Sequence, residues 1–181
     1  MGSVVIRLRK GDPSPATLAL VAGLAVYEAV LPYLANPSGL ALKWPNDLML
    51  NGAKLAGILL ERSDDAIVAG FGVNLAQASE LPDRRTVALA DCGPCHDRDT
   101  FAHTLAATFL AELQRWRSFG QDGTIARWLA AGHAEGTPLT VHQTAHETLS
   151  GTFAGLEADG GLRLRLADGS MRVIHAGDVF V

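Results

Sequence analysis

Asn51-Gly52 stands between two apolar stretches, residues 48–50 and 55–60, and constrains the fold more than any other feature of the chain. The dipeptide supplies two residues that tolerate positive φ, which the type I′ turn of a two-residue β-hairpin requires. Such a turn pairs Leu50 with Ala53 and Met49 with Lys54. Asp47, two residues before Met49, then shares a face with Lys54 as a diagonal neighbour, their Cβ atoms about 7–8 Å apart. Asn46 falls opposite Gly57, where the missing side chain lets a ligand approach the backbone. The hairpin, residues 41–62, thus gathers Lys43, Lys54, Asp47 and bare backbone on one small surface. That surface suits an anionic ligand, with or without a metal ion.

The rest of the composition excludes several alternatives. The chain has 181 residues, 48% hydrophobic and 19% charged, enough for one substantial core and a small appendage. A net charge of −4 gives no basic excess for nucleic-acid binding, so an acidic partner or a nucleotide needs a local basic patch. Arg7, Arg9 and Lys10 ahead of the apolar run 18–31 imitate a signal peptide. Glu28 and Pro32 interrupt that run, Val4-Val5-Ile6 reads as a strand, and the run is too short to span a bilayer. A cytoplasmic protein without a membrane partner is the expectation. Cys92-Gly93-Pro94-Cys95 lies in a polar loop with no strand leading into it, which predicts two free thiols rather than a redox centre. His96 is close by, but too few other ligands accompany it for a metal site.

Periodicity orders the remaining elements. A strand is expected over residues 4–8, then a helix over 18–34 opened by Ser14 as N-cap and Pro15 in its first turn. That helix is apolar nearly all round, so it should lie buried against a sheet. Asn36-Pro37-Ser38-Gly39 ends it. A strand over 66–75 follows the hairpin, weakened by Gly70 and Gly72 unless something approaches its backbone. Residues 77–98 read as a long loop, with Asp99 capping the next helix. Phe101, Leu105, Phe109, Leu113 and Trp116 form that helix's core stripe, with Arg115 and Arg117 outside, and a shorter helix covers 124–131. From Thr137 the pattern turns to period two, with turns at Asp159-Gly160-Gly161 and Asp168-Gly169, which predicts a small barrel. The boundary is expected near 134/135.

Three blocks carry a resemblance. Lys43-Trp44-Pro45-Asn46-Asp47, then Lys54-Leu55-Ala56-Gly57-Ile58-Leu59 with the acidic Glu61, resembles the central motif of the biotin protein ligases. Gly70-Phe71-Gly72-Val73-Asn74 resembles the G-x-G-[IV]-N strand of that family; Gly70-x-Gly72 alone would be weak, but the three blocks keep the family's order and spacing. The resemblance runs from about residue 3 to 181 and includes the closing Gly177-Asp178-Val179. It implies an α+β fold: a mixed or antiparallel sheet packed by helices, similar to class II synthetases, over 1–134, and an SH3-like β-barrel over 135–181. Pairing of the first two blocks favours a biotin ligase over a lipoate-type ligase.

The implied reaction is ATP-dependent activation of biotin to biotinyl-AMP, followed by transfer to a lysine of a biotin carboxyl carrier protein. By resemblance, Lys54 contacts the biotin carboxylate and the α-phosphate, and Lys43 lies near the activated phosphate. Asp47 holds Mg²⁺ or the nucleotide, and Asn46 shares the nucleotide. Gly57, Ile58 and Leu59 form the wall for the biotin bicycle, Gly70 and Gly72 its floor, and Asn74 meets adenine. The residues alone equally allow a solvated hairpin lysine at 54, turn-forming roles for Asn46 and Asp47, and a strand-end role for Asn74. The family's basic G-R-G-R-x-G-R loop has no match in this sequence. The expectation is therefore a truncated ligase that adenylates biotin weakly, or else a catalytically inactive binding module of the same descent. An uncovered sheet edge would follow, and with it a homodimer or other self-association.

Overall fold

The computed structural model describes residues 1–82, 84–93, 97–144 and 147–181. Strands β1 (Gly2–Arg7), β2 (Leu40–Lys43), β3 (Asp47–Leu50), β4 (Ala53–Ser63) and β5 (Ala66–Val73) form one antiparallel sheet in the order β1-β5-β4-β3-β2. Helix α1 (Leu18–Val30) lies on one face of this sheet, and α2 (Arg98–Phe119) and α3 (Gln121–Ala131) pack against α1. Strands β6 (Pro138–Thr144), β7 (Glu147–Leu156), β8 (Leu162–Arg165), β9 (Met171–Ile174) and β10 (Asp178–Phe180) build a second antiparallel sheet in the order β10-β6-β7-β8-β9. The architecture is α+β, as expected.

Helix α1 is buried because it is apolar nearly all round, Glu28 aside: Leu18, Val21, Ala22, Ala25, Val26, Ala29 and Val30 have no exposed surface. Each fully buried Leu or Val contributes about 1.5–3 kcal/mol, so this helix anchors the core despite carrying no side-chain cap. The expected Ser14 cap is not made. Instead Pro15–Thr17 forms a 3₁₀ turn ahead of the α-helix. There the Thr17 hydroxyl donates to the Ser14 carbonyl at 2.7 Å and accepts from the Trp116 indole at 2.8 Å. That pair ties the start of α1 to α2 inside the core. The α-helix also stops at Val30, with a 3₁₀ turn over Leu31–Tyr33, because Pro32 cannot donate in the ladder.

Helix α2 begins two residues earlier than Asp99 suggested. Asp97 is its N-cap, accepting the Thr100 N–H at 2.8 Å, and those hydrogen bonds hold its carboxyl below the usual carboxylate range. Phe101, Phe109, Leu113 and Trp116 are buried as the stripe predicted. Arg117, expected outside, folds back to Asp12 at 3.1 Å and to the Arg7 carbonyl at 2.8 Å. Buried Glu112 pairs with Arg115 and Arg127, and Arg127 also reaches Glu28, so one ionic network joins the three helices. Burial and the neighbouring Glu112 carboxylate push the Glu28 carboxyl up.

The stretch Pro15–Tyr33 is long and apolar enough to cross a membrane by composition, and it is mostly buried as the core helix of the sheet. The two sheets meet at Trp44, whose indole donates to the Gly160 carbonyl in the β7–β8 turn at 3.0 Å. Cys92 is exposed with a free thiol; Cys95 and His96 lie outside the described residues.

Candidate active site

The expected hairpin is a three-stranded meander. Trp44-Pro45-Asn46 reverses the chain through a cis Trp44–Pro45 bond, so Lys43 pairs opposite Asp47 before the second turn is reached. That turn is the one the sequence predicts: Asn51 and Gly52 both have positive φ, 51° and 74°, and Leu50–Ala53 and Met49–Lys54 are paired.

One residue further the register departs from expectation. β4 carries a bulge at Leu55, so Leu48 faces Ala56 and it is Asp47, not Asn46, that lies opposite Gly57. The bulge has a chemical consequence. Residues 54 and 57 are three apart and would point to opposite faces of a regular strand. The extra residue brings Lys54 and Gly57 to the same face, that of Asp47. The lysine chain then crosses above Gly57, where an added Cβ would stand 3.1 Å from Lys54 Cε and 3.2 Å from Nζ. It ends 2.5 Å from Asp47 Oδ1, off the axis of a regular hydrogen bond.

Asp47 is the centre of a cationic cluster. It is only 4% exposed and faces Lys54, Lys43 at 3.5 Å and Arg84 at 3.8 Å. Lys43 is 7% exposed. The second sheet closes this corner: the Phe180 ring lies 5.8 Å from Lys43 Nζ and 5.7 Å from Arg84 Cζ, within cation–π range. Asp178 accepts from Arg84 Nη2 at 2.7 Å. His133 lies near Lys43, its Nε2 buried without a hydrogen-bond partner among the described residues; burial, then the lysine charge, holds its pKa below 6.5. The sequence singled out neither Arg84 nor Phe180 nor His133. Each is remote in sequence: β10 brings Phe180 over Lys43 and Arg84, Arg84 reaches Asp47 from outside the sheet, and the α3–β6 connector brings His133 to Lys43.

The other predicted residues divide between site and scaffold. Gly57 and Gly72 are directly paired, as are Leu59 and Gly70, so the β4–β5 half of this face is a nearly side-chain-free floor with Leu59 61% exposed beside it. Ile58 points the other way and is buried in the helix-side core. Both asparagine amides hold backbone. Asn46 Nδ2 donates to the Ile58 carbonyl at 2.7 Å, while the Asn46 carbonyl accepts the Ile58 N–H at 2.9 Å. Asn74 Nδ2 donates to the carbonyls of Lys54 at 3.3 Å and Val87 at 3.1 Å. That second set, with the Lys54 N–H to Arg85 and the Val87 N–H to Lys54, stitches residues 85–87 alongside the start of β4.

A cleft of about 340 Å³ opens over the glycine floor, lined by Lys54, Gly57, Gly72, Asn74, Ser79 and Thr86. A larger cavity, about 410 Å³, lies on the helix side between β1, β5 and α2. It is walled by Val4, Phe71, Phe101, Leu105 and Phe109 and contains none of the predicted site residues. A divalent cation does not fit Asp47 as a resident ligand. Three side-chain cations already face its carboxylate, and no group of three His, Cys, Asp or Glu converges among the described residues.

Comparison with known proteins bears on both the fold and the cleft. Residues 1–76 match the Biotin/lipoate A/B protein ligase family, and residues 140–181 match the Biotin protein ligase C terminal domain. A Biotin--[acetyl-CoA-carboxylase] ligase of Paracoccus denitrificans is 35% identical over 99% of this chain and 78% of its own length. One from Mycobacterium tuberculosis is 35% identical over 90% of this chain and 61% of its own. Among solved structures, the apo biotin protein ligase of Aquifex aeolicus superposes with a TM-score of 0.84 at 22% identity, covering 98% of this chain and 80% of that one. The Aquifex enzyme in complex with biotin and ATP gives 0.81 at 24%, covering 98% and 75%. At those identities the structural likeness speaks for the fold.

Proposed function

The chain belongs to the biotin protein ligase family, and from that premise we propose that its cleft activates biotin with ATP and passes the biotinyl group to a lysine of a carboxylase carrier protein. One observation carries the reading: Lys54, held over Gly57 by the Leu55 bulge and Asp47, projects its ammonium to the edge of a side-chain-free floor beside a second, desolvated lysine. In the first step a biotin carboxylate oxygen attacks the α-phosphorus of ATP and pyrophosphate leaves. In the second, the carrier amine attacks the mixed anhydride and AMP leaves. Neither step needs an enzyme nucleophile. Both need positive charge fixed where oxygen charge develops, which Lys54 and Lys43 supply without reorganisation.

Asp47 is then the carboxylate that orients these cations rather than a metal ligand. Asn46 and Asn74 act by fixing the backbone that frames the cleft, Gly57, Gly70 and Gly72 admit the biotin ring, and Leu59 packs against it. Ile58 supports from beneath. The division at 134/135 is part of this reading, supported by the second sheet starting at Pro138 and lending Asp178 and Phe180 to the cluster. So are a cytoplasmic setting and the lack of a DNA partner, for which the net charge of −4 speaks.

The test is pyrophosphate release by the purified chain. Biotin and ATP together, and neither alone, are expected to release pyrophosphate, at a low rate because these 181 residues contain no G-R-G-R-x-G-R. Lys54→Ala is expected to lower that rate by about 10²–10³, the scale of losing one fixed donor. Release that ignores biotin, or a Lys54→Ala variant as fast as the parent, overturns the reading.

A further inference from the structure

Strand β10 divides its side chains between two environments. Val179 is fully buried, with Val141 of β6 opposite it. Asp178 and Phe180, on either side of Val179, share the other face of the strand, and both meet cations outside their own sheet. Pairing fixes Phe180 there: its backbone lies opposite Thr140 of β6, and its ring packs against the His142 ring, the centroids 4.9 Å apart. The Lys43 ammonium stands over the Phe180 ring, 5.8 Å from the centroid.

Lys43 needs such a partner. Its side chain is 8% exposed, so little water reaches the ammonium. Its ion pair with Asp47 spans 3.5 Å, and Lys54 holds the same carboxylate at 2.5 Å. An ammonium is a point charge on a flexible four-carbon stem, and a carboxylate shared with a closer lysine fixes its direction poorly. The negative face of an aromatic ring adds a second attraction, which strengthens as water is excluded.

We propose that Phe180 is a positioning residue for the reaction: its ring face holds the Lys43 ammonium beside Asp47, so the second sheet sets the position of a charge in the first. This role deepens the ligase reading and rests on it. In that reading Lys43 serves only while it stays where oxygen charge develops on the activated phosphate. The ring therefore acts on turnover and not on biotin binding.

Phenylalanines of increasing ring fluorination, incorporated at position 180 of the whole chain, test this. Fluorine draws negative charge from the ring face and nearly preserves its shape. Biotin-dependent pyrophosphate release is measured at saturating ATP. The logarithm of kcat is expected to fall stepwise with fluorine number, by roughly tenfold in total, with the biotin KM within about twofold and thermal melting unchanged. The Arg84 guanidinium also stands over this ring, at 5.7 Å. The series is therefore repeated in Lys43→Gln, where the dependence on fluorine number is expected to disappear. A flat series in the parent, or a kcat that falls only in step with the melting temperature, marks Phe180 as packing alone; it overturns the role and leaves the ligase reading standing. A slope that persists unchanged in Lys43→Gln routes the effect through Arg84 and overturns the role too. A parent chain without biotin-dependent release overturns the ligase reading and this role together.

Discussion

At the scale of single residues, Gly57 is the most constrained position of the site. Its φ is ordinary, so its role is spatial: the place of its Cβ is taken by the Lys54 side chain, with Asp47 Oδ1 at 3.6 Å. Gly57→Ala is expected to fold, since the contact at 3.1 Å is with a flexible lysine, but to push Lys54 off Asp47. Thermal melting should change little, while biotin-dependent pyrophosphate release should fall by about tenfold or more, the scale on which small misplacements of reacting groups matter. Melting and activity lost together would show the position to be purely structural. Lys43, Lys54, Asp47 and the glycines were legible as a cluster because hairpin geometry is local. The roles of Asn46 and Asn74 were not, because which carbonyl an amide reaches depends on strands that pair across many residues.

At the scale of elements, the bulge and the connectors decide the electrostatics. Periodicity located the three α-helices, β1 and β5, but it merged β2 and β3 into one strand of the hairpin and could not register an extra residue at Leu55, since a bulge adds one residue to a run that stays apolar throughout. The α3–β6 connector places His133 beside Lys43, and its pH behaviour follows from that. Burial and the lysine hold its folded pKa below 6.5, so the unfolded chain takes up the proton first. Its contribution to stability is complete above pH 6.5 and is lost as the pH falls through the folded value. Glu28 acts in the opposite sense: its raised pKa favours the folded state below 4.5, and that contribution fades as the pH rises toward the folded value. Urea midpoints of the parent should therefore drop between about pH 7 and 5 more steeply than those of His133→Gln. Identical slopes for the two proteins would refute this account of His133.

At the scale of the whole molecule, the first sheet ends in β1, which pairs with β5 on one side only among the described residues. Val5, on this strand, is 63% exposed and carries no charge to discourage a second strand from pairing. Concentration-dependent self-association is expected in light scattering, with Val5→Lys shifting the population toward monomer. A parent chain that stays monomeric up to about millimolar concentration, beyond the range of weak specific pairing, would exclude this edge as an interface. At the opposite end β2 pairs only with β3 among the described residues, while β10, Phe180 and the Trp44–Gly160 hydrogen bond cover the β2–β3 half of the outer face. Cover on one half and bare glycine on the other is what turns a flat sheet face into a cleft with a desolvated end.

The sequence by itself determined what depends on neighbours along the chain: the Asn51-Gly52 turn, the buried α1, the α2 stripe, the period-two strands of the second sheet, and the three motif blocks that place the chain in its family. Tertiary structure decided which of those residues meet. It set Asp47 rather than Asn46 opposite Gly57, turned Ile58 into the core, brought Arg84 to the Asp47 carboxylate, and brought His133, Asp178 and Phe180 to the cations around it. The reason is physical. Turn chemistry and hydrophobic period act over a few residues, whereas the partners of a buried charge are chosen by whatever surfaces pack over it to exclude water.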